Sequence, residues 1–443
     1  MGGGSSSEGG GSTVLSCEVV GQGGGAVVWA KQFGLEADVS VWDLAVTAHG
    51  DVAFTGAFWD QVGFGGAELV PDTFGDIGSF FLARLDAQGD HVFSTMFDGD
   101  SQGVGVVALN DSQDNLLLAG IAVGAEGQFR PDFGGGPLDN PAIYGAYATK
   151  LDPTSSHLWS RVDGEAGASV NVTAAALRPD DGVVIAGCFE GTLDFGDNPM
   201  ESTPANDDCG DVFLVELDAE GNHVWSRHYG DAGQKFIEGV AVDGEGNVFF
   251  AVSLGGTLDV GESRTAEGTR DLLLVKLDPN GDLVWSKRYG NSETRITGIR
   301  VAMAPNGDLL VAATDHGAGI DFGSGPLPAT LEHGDVPFVV RHDTDGMLLW
   351  ATGGGEDWNH AAVSGGVFAV HPSGDIYAGH VVLDENGAEK YRRESCFRPT
   401  ALDFDGDDVI YAGVFAGALE LGDPPLATSG LGDVDVVVTR MKR

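Results

Sequence analysis

The stretch that decides the fold is residues 211–225, Asp-Val-Phe-Leu-Val-Glu-Leu-Asp-Ala-Glu-Gly-Asn-His-Val-Trp. An apolar strand runs into Leu-Asp-x-x-Gly, which is typical of a tight turn, and the next strand carries a large aromatic residue. The same phrase recurs with its leucine at Leu85 and at Leu277, and a looser copy has its acid at Asp343. A variant after Leu151 replaces the glycine turn with Pro-Thr-Ser-Ser. Recurrence of one phrase along the chain predicts a repeat architecture.

The aromatic residue of this phrase recurs at intervals of 60 to 66 residues. The anchors are Trp29, Phe93, Trp159, Trp225, Trp285 and Trp350. A second phrase, in which apolar alternation leads through a glycine-containing turn into a β-rich strand, occurs seven times. Each repeat therefore holds two hairpins, and such a small sheet cannot bury its faces alone. Stacked around an axis, the sheets cover one another, and we expect the aromatic residues to wedge between them in a structural role.

The sequence thus predicts an all-β fold, a seven-bladed β-propeller. The C-terminal repeat stops after its third strand, residues 435–441, and residues 26–34 look like the missing fourth strand. We expect residues 26–34 to close the ring by pairing within the last repeat, 397–443, because closure removes free sheet edges. The repeat around Gly379 is abbreviated. A shortened or missing strand is expected there, and a six-bladed ring is the alternative.

The chain divides by composition into a flexible Gly/Ser-rich tether, residues 1–25, and a single propeller domain, residues 26–443. No run approaches the roughly 18 apolar residues that a membrane-spanning helix needs. Two interpretations of the tether stay open. It is either a native lipoprotein tether, with a lipid anchor at the N-terminus of the precursor, or a cloning linker.

The net charge is −44, from 67 acidic and 23 basic residues. Nucleic acid is a poor partner for such a surface, because phosphate binding needs a basic footprint. A strongly acidic surface keeps a protein soluble and monomeric, and the alternative role for the excess acid is cation binding. We expect a monomer.

Four cysteines are present: Cys17, Cys188, Cys209 and Cys396. Cys188 and Cys209 flank one long loop within one repeat, and the other two lie near the predicted closure. Four cysteines allow three pairings. We favour at least a Cys188–Cys209 disulfide and an oxidising compartment, and the alternative is four buried free thiols.

The phrases at Gly187–Gly196 and Asp211–Trp225 resemble the seven-bladed propeller repeats of bacterial surface proteins and lipoproteins. The resemblance covers residues 26–443. It implies an extracytoplasmic location, either as an outer-membrane lipoprotein, on the cell surface or secreted, and it implies little about activity.

In a propeller the 1–2 and 3–4 turns lie on one face and the 2–3 and 4–1 connections on the other. Here the second set is long and varied, so we expect a protein, peptide or glycan ligand on that long-loop face. The long loops carry a recurrent acid at Asp132, Asp194, Asp259, Asp321 and Glu420. A second acid opens the third strand at Asp211, Asp271 and Asp433. These carboxylates predict either a Ca²⁺-binding ring or caps on their own turns.

Two functions compete on the sequence. The first is a non-catalytic extracytoplasmic binding or scaffold module. The second is a quinoprotein-like or lyase-type enzyme with a metal-dependent site in the central funnel, because the Leu-Asp-x-x-Gly-x-x-x-Trp phrase also resembles the tryptophan docking repeat of quinoprotein dehydrogenases. The near-equivalence of the repeats favours the first, and no catalytic triad, zinc spacing or phosphate loop appears. We therefore expect no catalytic residue.

Overall fold

The described part of the molecule is built from β-strands. The computed structural model describes residues 19–20, 25–34, 38–71, 79–97, 107–123, 130–196, 198–203, 210–231, 233–317, 319–328, 335–353, 367–379, 381–393, 398–416, 418–419, 421, 426–428 and 434–443. Every regular element among these residues is a strand, which confirms the all-β prediction. Within the same residues, no helix is long and apolar enough to cross a membrane.

The strands form antiparallel units, numbered here in chain order. Unit 1 contains Val39–Val46, Val52–Phe58, Ser79–Leu85 and His91–Phe97. Unit 2 contains Val107–Asn110, Leu116–Val123, Tyr144–Leu151 and His157–Asp163. Unit 3 contains Ser169–Leu177, Val183–Glu190, Asp211–Leu217 and His223–Tyr229. A single parallel pair, Tyr144 with Ser169, links units 2 and 3.

The next two units repeat this order, with the first strand innermost and the fourth outermost. Unit 4 contains Lys235–Val242, Val248–Leu254, Asp271–Leu277 and Leu283–Tyr289. Unit 5 contains Ile296–Met303, Leu309–Asp315, Val336–His342 and Leu348–Gly353. In the described parts of the 2–3 loops there are three small hairpins: Thr192–Leu193 with Met200–Glu201, Thr257–Asp259 with Ser263–Thr265, and Ala418–Leu419 with Leu426–Ala427.

The last two units use strands from both ends of the chain. Unit 6 contains Phe368–Val370, Ile376–Ala378, Val381–Leu383 and Glu389–Arg393, with Val19–Val20 as a fifth, outer strand. Unit 7 contains Arg398–Asp405, Asp408–Ala416 and Val434–Lys442, with Val27–Phe33 outermost. The segment on which the six-bladed alternative depends does form unit 6, with short strands, and the predicted tether contributes Val19–Val20 to it.

The units are arranged around an axis. The innermost strand of each unit contacts the innermost strand of the next unit, and the innermost strand of unit 7 contacts that of unit 1. Because each sheet then has a neighbour on either face, its middle strands are covered on both sides. Val248–Leu254 and Asp271–Leu277 are accordingly buried at every position, whereas the outer strand Leu283–Tyr289 is partly exposed. This arrangement is a β-propeller.

The ring closes as the sequence predicts. Val27–Phe33 pairs antiparallel with Val434–Lys442 and places Trp29 opposite Arg440. The backbone N–H of Lys442 also donates to the Ala26 carbonyl at 3.0 Å. The N-terminal segment thus supplies the fourth strand of the last unit, and the third strand of that unit would otherwise be a free edge.

Candidate functional site

The recurrent acids of the 2–3 loops cap their own turns. Asp132 accepts hydrogen bonds from the N–H groups of Gly134 and Gly136 at 2.8 and 3.0 Å. Asp321 does the same with Gly323 and Gly325 at 2.7 and 2.9 Å. Asp194 and Asp259 each accept one such bond, from Gly196 and Gly261. The fifth acid of the set, Glu420, lies outside the described residues.

Apolar residues on both sides of each acid hold the base of the loop. Leu193 and Phe195 flank Asp194 and are 0% and 4% exposed, and Ile320 and Phe322 flank Asp321 in the same way. The side chains that follow the acids pack on neighbouring strands, as Phe195 does against Phe213 at 5.8 Å between ring centroids. We call these flanking apolar pairs the loop clamps. The loop acid recurs because it lies between the two residues of a clamp and caps the turn that follows the clamp in the 2–3 loop.

The acids that open the third strands are buried. Asp211 accepts a hydrogen bond from Thr203 Oγ1 at 2.5 Å. Asp271 accepts the N–H groups of Glu267 and Gly268 and pairs with Arg288. Both carboxylates therefore hold the end of the 2–3 loop against the start of the third strand.

In unit 7 the predicted third-strand acid, Asp433, lies outside the described residues. The position equivalent to Asp211 is Asp435, since Glu216 lies opposite Trp225 and Arg440 lies opposite Trp29. Asp435 is fully buried and accepts a hydrogen bond from Gln32. The sequence analysis missed it, although counting back from the aromatic anchor finds it.

The described carboxylates do not converge. No group of three or more His, Cys, Asp or Glu side chains suited to a metal ion occurs in the part of the chain that the structure describes. Each of the four described loop acids lies on its own unit and accepts a hydrogen bond from its own turn. The predicted calcium ring therefore has no assembled set of ligands among the residues that can be placed.

Cys188 is disulfide-bonded, and its partner lies outside the described residues. Cys17, Cys209 and Cys396 are likewise outside them. The Cys188–Cys209 pairing stays a prediction.

The tryptophan anchors lie at the junctions between units. Each indole Nε1–H donates to a carbonyl in the Leu-Asp-x-x-Gly turn, or its equivalent, of the next unit. The pairs are Trp29 with Ala87 at 3.0 Å, Trp159 with Ala219 at 2.9 Å, Trp225 with Pro279 at 3.2 Å, Trp285 with Thr344 at 3.2 Å and Trp350 with Glu385 at 3.1 Å.

The turn that receives each indole is rigid. In unit 4, Asp278 accepts the N–H groups of Asn280 and Asp282 at 2.8 and 3.0 Å. The backbone hydrogen bond from Asp282 is the main reason that the pKa of Asp278 lies below its usual value. The same arrangement holds in the turns that begin at Asp86, Asp152, Asp218, Asp343 and Asp384. The acid of the repeated phrase is thus a structural cap.

One innermost strand carries an acid with a shifted pKa. Asp403 of unit 7 accepts the N–H groups of Val46 in unit 1 and of Phe404, both at 2.8 Å. Burial raises the pKa of Asp403 to about 6. The equivalent residue in unit 1 is Ala45, because Ala45 and Asp403 lie at the same distance from the glycines Gly56 and Gly413 in their paired strands. Asp403 joins the last unit to the first, and the spacing of the repeats gave no signal for it.

A pocket of about 330 Å³ lies at the short-turn end of the junction between units 2 and 3. Its lining includes Gln113, Asn115, Lys150, Leu158, Trp159 and Glu220. Lys150 Nζ lies 2.7 Å from Asp111 Oδ2, and both side chains are almost fully buried. Although burial opposes it, hydrogen bonds from Lys150 and Asn115 hold the pKa of Asp111 below its usual value. The sequence analysis placed the binding site on the opposite face and did not foresee this pocket.

No protein-family model matches the chain, and no curated protein matches it in sequence. Solved structures that are similar in fold include BamB from Moraxella catarrhalis, at 14% identity over 94% of this chain and 99% of that chain, with a TM-score of 0.40. The Neurospora crassa Pan2 WD40 domain matches at 8% identity over 97% and 95%, with a TM-score of 0.43.

A third similar structure is a catalytically inactive virginiamycin B lyase from Staphylococcus aureus with quinupristin. It matches at 10% identity over 93% of this chain and 99% of that chain, with a TM-score of 0.46. At these identities and TM-scores, the three likenesses carry no argument about activity, ligand or location.

Proposed function

We propose that the chain is a non-catalytic binding or scaffold module that acts outside the cytoplasm and holds a protein, peptide or glycan on its long-loop face. The observation that carries this proposal is the set of loop clamps. Leu193 with Phe195, Leu258 with Val260, and Ile320 with Phe322 are all buried at the base of a 2–3 loop. Variable loop segments therefore rise from fixed points on a rigid ring, which is how a scaffold presents a binding surface.

The repeated chemistry supports binding rather than catalysis. The turn acids, the loop acids and the tryptophans are each engaged in the same structural contact from unit to unit. A catalytic centre usually makes one unit chemically distinct, with a nucleophile, base or acid placed within reach of a substrate. The alternative, a quinoprotein-like or lyase-type enzyme with its site in the funnel, has no such constellation in its favour among the described residues.

The finer parts of the proposal concern architecture and location. We propose that the seven units are the blades of a seven-bladed ring formed by residues 26–443 with Val19–Val20 as an added outer strand, that the tether predicted for residues 1–25 is confined to residues 1–18, and that the protein is a monomer. The disulfide at Cys188 supports an oxidising compartment, and we pair it with Cys209. The resemblance to bacterial surface and lipoprotein repeats fits an outer-membrane, cell-surface or secreted protein.

The test replaces each 2–3 loop in turn while leaving its clamp intact. Purified protein is applied to a glycan array and a peptide array, with calcium and with a chelator. In unit 5, for example, the segment after Gly323 is exchanged for the shorter one after Gly261. We expect at least one ligand whose binding is lost in a loop variant. The control exchanges Thr344 and Asp345 of the opposite face for Pro279 and Asn280, and it should bind normally.

Three results would count against the proposal. Ligands that bind every loop variant as well as the original chain would remove the long-loop face as the site. A stoichiometric chromophore in the absorbance spectrum of the purified protein would favour the enzyme. Alkylation of Cys188 and Cys209 without a reductant would show free thiols and would count against the extracytoplasmic location.

A further inference from the structure

The pocket between units 2 and 3 has a rigid polar floor. Lys150 is 4% exposed and Asn115 is 8% exposed. Lys150 Nζ contacts Asp111 at 2.7 Å and donates to the Ala219 carbonyl at 3.3 Å, and the Asn115 amide donates to Asp111 at 2.8 Å. These contacts fix the floor before any ligand arrives, so little ordering is required on binding.

One wall of the pocket is apolar and fixed in place. Leu158 is 49% exposed, and Trp159 follows it on the outer strand of unit 2. The indole N–H of Trp159 is held by the Ala219 carbonyl at 2.9 Å, and Gly221 packs against the ring. A held aromatic ring beside an aliphatic side chain offers flat apolar surface at small entropic cost.

The rim adds hydrogen-bonding groups. Gln113 and the exposed Glu220 line the pocket beside the tryptophan. Asp181 also lines it, in a left-handed conformation with a φ of 63°, and its carboxylate is held by Ser112 of unit 2. Amide and carboxylate groups can donate to and accept from several hydroxyl groups of one ligand.

The charges on the lining oppose an anionic ligand. Lys150 is paired with the buried Asp111 at 2.7 Å, whereas Glu220 and Asp181 lie on the rim of a chain whose net charge is −44, so an anion would be repelled. The ligand must therefore offer a polar edge to the floor and rim, an apolar face to Trp159, and no negative charge. The volume is at the lower end of the roughly 300–1,000 Å³ typical of small-molecule pockets.

We propose that this pocket binds a neutral sugar ring, whose hydroxyl groups bond to Gln113, Asn115 and Glu220 and whose C–H face lies on Trp159 and Leu158. The site is on the short-turn side of the ring, away from the long-loop face. It therefore stands or falls independently of the function proposed above.

Other junctions provide an internal comparison. At the position of Lys150, units 1, 5 and 7 carry Arg84, Arg341 and Arg440. Each arginine reaches a turn carbonyl of the next unit, those of Pro153, Glu385 and Ala87 respectively. Lys150 makes the equivalent contact with the Ala219 carbonyl through a single nitrogen, whereas a guanidinium group is larger and planar. Lys150→Arg should consequently reduce the space in the pocket while copying a residue that three other junctions already accommodate.

The experiment measures binding of the methyl glycosides of glucose, galactose, mannose and N-acetylglucosamine, by saturation-transfer NMR and by titration. Methyl glucuronide is the charged comparator. We expect at least one neutral glycoside to bind at millimolar concentration, and the anionic glucuronide to bind about tenfold more weakly or not at all. Lys150→Arg should abolish binding, and Glu220→Ala should weaken it about tenfold.

Gln88→Ala is the matched control, because Gln88 occupies the position of Glu220 in the turn of unit 1. It should leave glycoside binding unchanged, as should replacement of any long loop. Failure of every neutral glycoside to bind would overturn the proposal. So would equal binding by the original chain, Lys150→Arg and Glu220→Ala, which would place the sugar elsewhere.

Discussion

The junction between units 2 and 3 and the junction between units 1 and 2 are built differently. At the first, Trp159 donates to the Ala219 carbonyl at 2.9 Å and covers Gly221, whose φ is 80°. A Cβ at Gly221 would lie 2.6 Å from Cδ2 of the indole. Glycine is thus required twice at that position, by the left-handed backbone and by the ring above it.

At the second junction the anchor is Phe93, which has no N–H to donate. The turn carbonyl of Pro153 accepts instead from Arg84 at 3.1 Å. The position equivalent to Gly221 is Ser155, which keeps the left-handed conformation with a φ of 66°. Where the indole is absent, a side chain is accepted in the turn. The difference indicates that the indole and the glycine of the repeated phrase are coupled at the junctions that have a tryptophan.

The largest test of this coupling is Gly221→Ala. The new methyl group would meet the Trp159 ring and force an L-residue into the left-handed region, so we expect the free energy of unfolding to fall by about 3 kcal/mol. Denaturant titration measures it. The control is Gly244→Ala, at a glycine whose added Cβ would meet nothing within 4 Å. Equal losses in the two variants would show that the indole does not dictate the glycine.

A second difference within the phrase is the residue before the turn acid. Unit 4 has the buried Leu277 there, whereas unit 5 has His342, which is fully buried and whose Nε2 lies 2.7 Å from the hydroxyl group of Tyr289. Burial, aided by the charge of Lys287, lowers the pKa of His342 to about 4. The unfolded chain therefore takes up this proton below about pH 6.5, before the folded protein does.

Stability from His342 is thus present above pH 6.5 and is lost as the pH falls towards 4. His342→Leu should remove this pH dependence. Between pH 7 and pH 4.5 the free energy of unfolding should fall by about 2 kcal/mol less in the variant than in the original chain. Leu277→Ile, which adds no titrating group, is the control and should retain the original pH slope. Parallel slopes for His342→Leu and the original chain would contradict the prediction.

The repeat and its closure could be predicted because each depends on short stretches of sequence. Turn glycines and a displaced fourth strand, Val27–Phe33, are visible from residue types alone. The identity of the turn at Ser155 was hidden, because a serine with positive φ cannot be distinguished by type from one in an ordinary loop. The fifth strand Val19–Val20 was hidden too, since two residues carry no periodic signal.

The candidate sites were less predictable for a different reason. A carboxylate two residues before a glycine suits both a metal ligand and a turn cap, so the spacing of Asp132 or Asp321 cannot distinguish the two. Only the hydrogen bonds show that these carboxylates cap their turns. The pocket at Trp159 depends on which side chains from two units fail to fill a cleft, and no single stretch of sequence contains that information.

A smaller effect is expected from the indole hydrogen bond itself. The Ala219 carbonyl accepts from Trp159 and also from Lys150 at 3.3 Å, whereas the Pro279 carbonyl accepts from Trp225 and from no other described side chain. Trp225→Phe should therefore destabilise the protein by about 1 kcal/mol more than Trp159→Phe, because only the former leaves its carbonyl without a side-chain donor. Denaturant midpoints of the two variants measure the difference, and equal losses would assign the effect to ring packing alone.

The smallest effect is expected at the Phe93 junction. Ser155→Gly relieves the left-handed strain of an L-residue but gives the unfolded chain more freedom, and these terms nearly cancel, so we expect a gain of at most about 1 kcal/mol. Ser156→Gly is the control. It removes a serine hydroxyl group from the same turn, where that group contacts the hydroxyl group of Thr154, but the backbone of Ser156 is not left-handed. If Ser155→Gly instead lowers the unfolding free energy as much as Gly221→Ala does, the serine makes a contact of its own. The junction at Phe93 would then be a separate solution rather than a relaxed copy of the tryptophan junction.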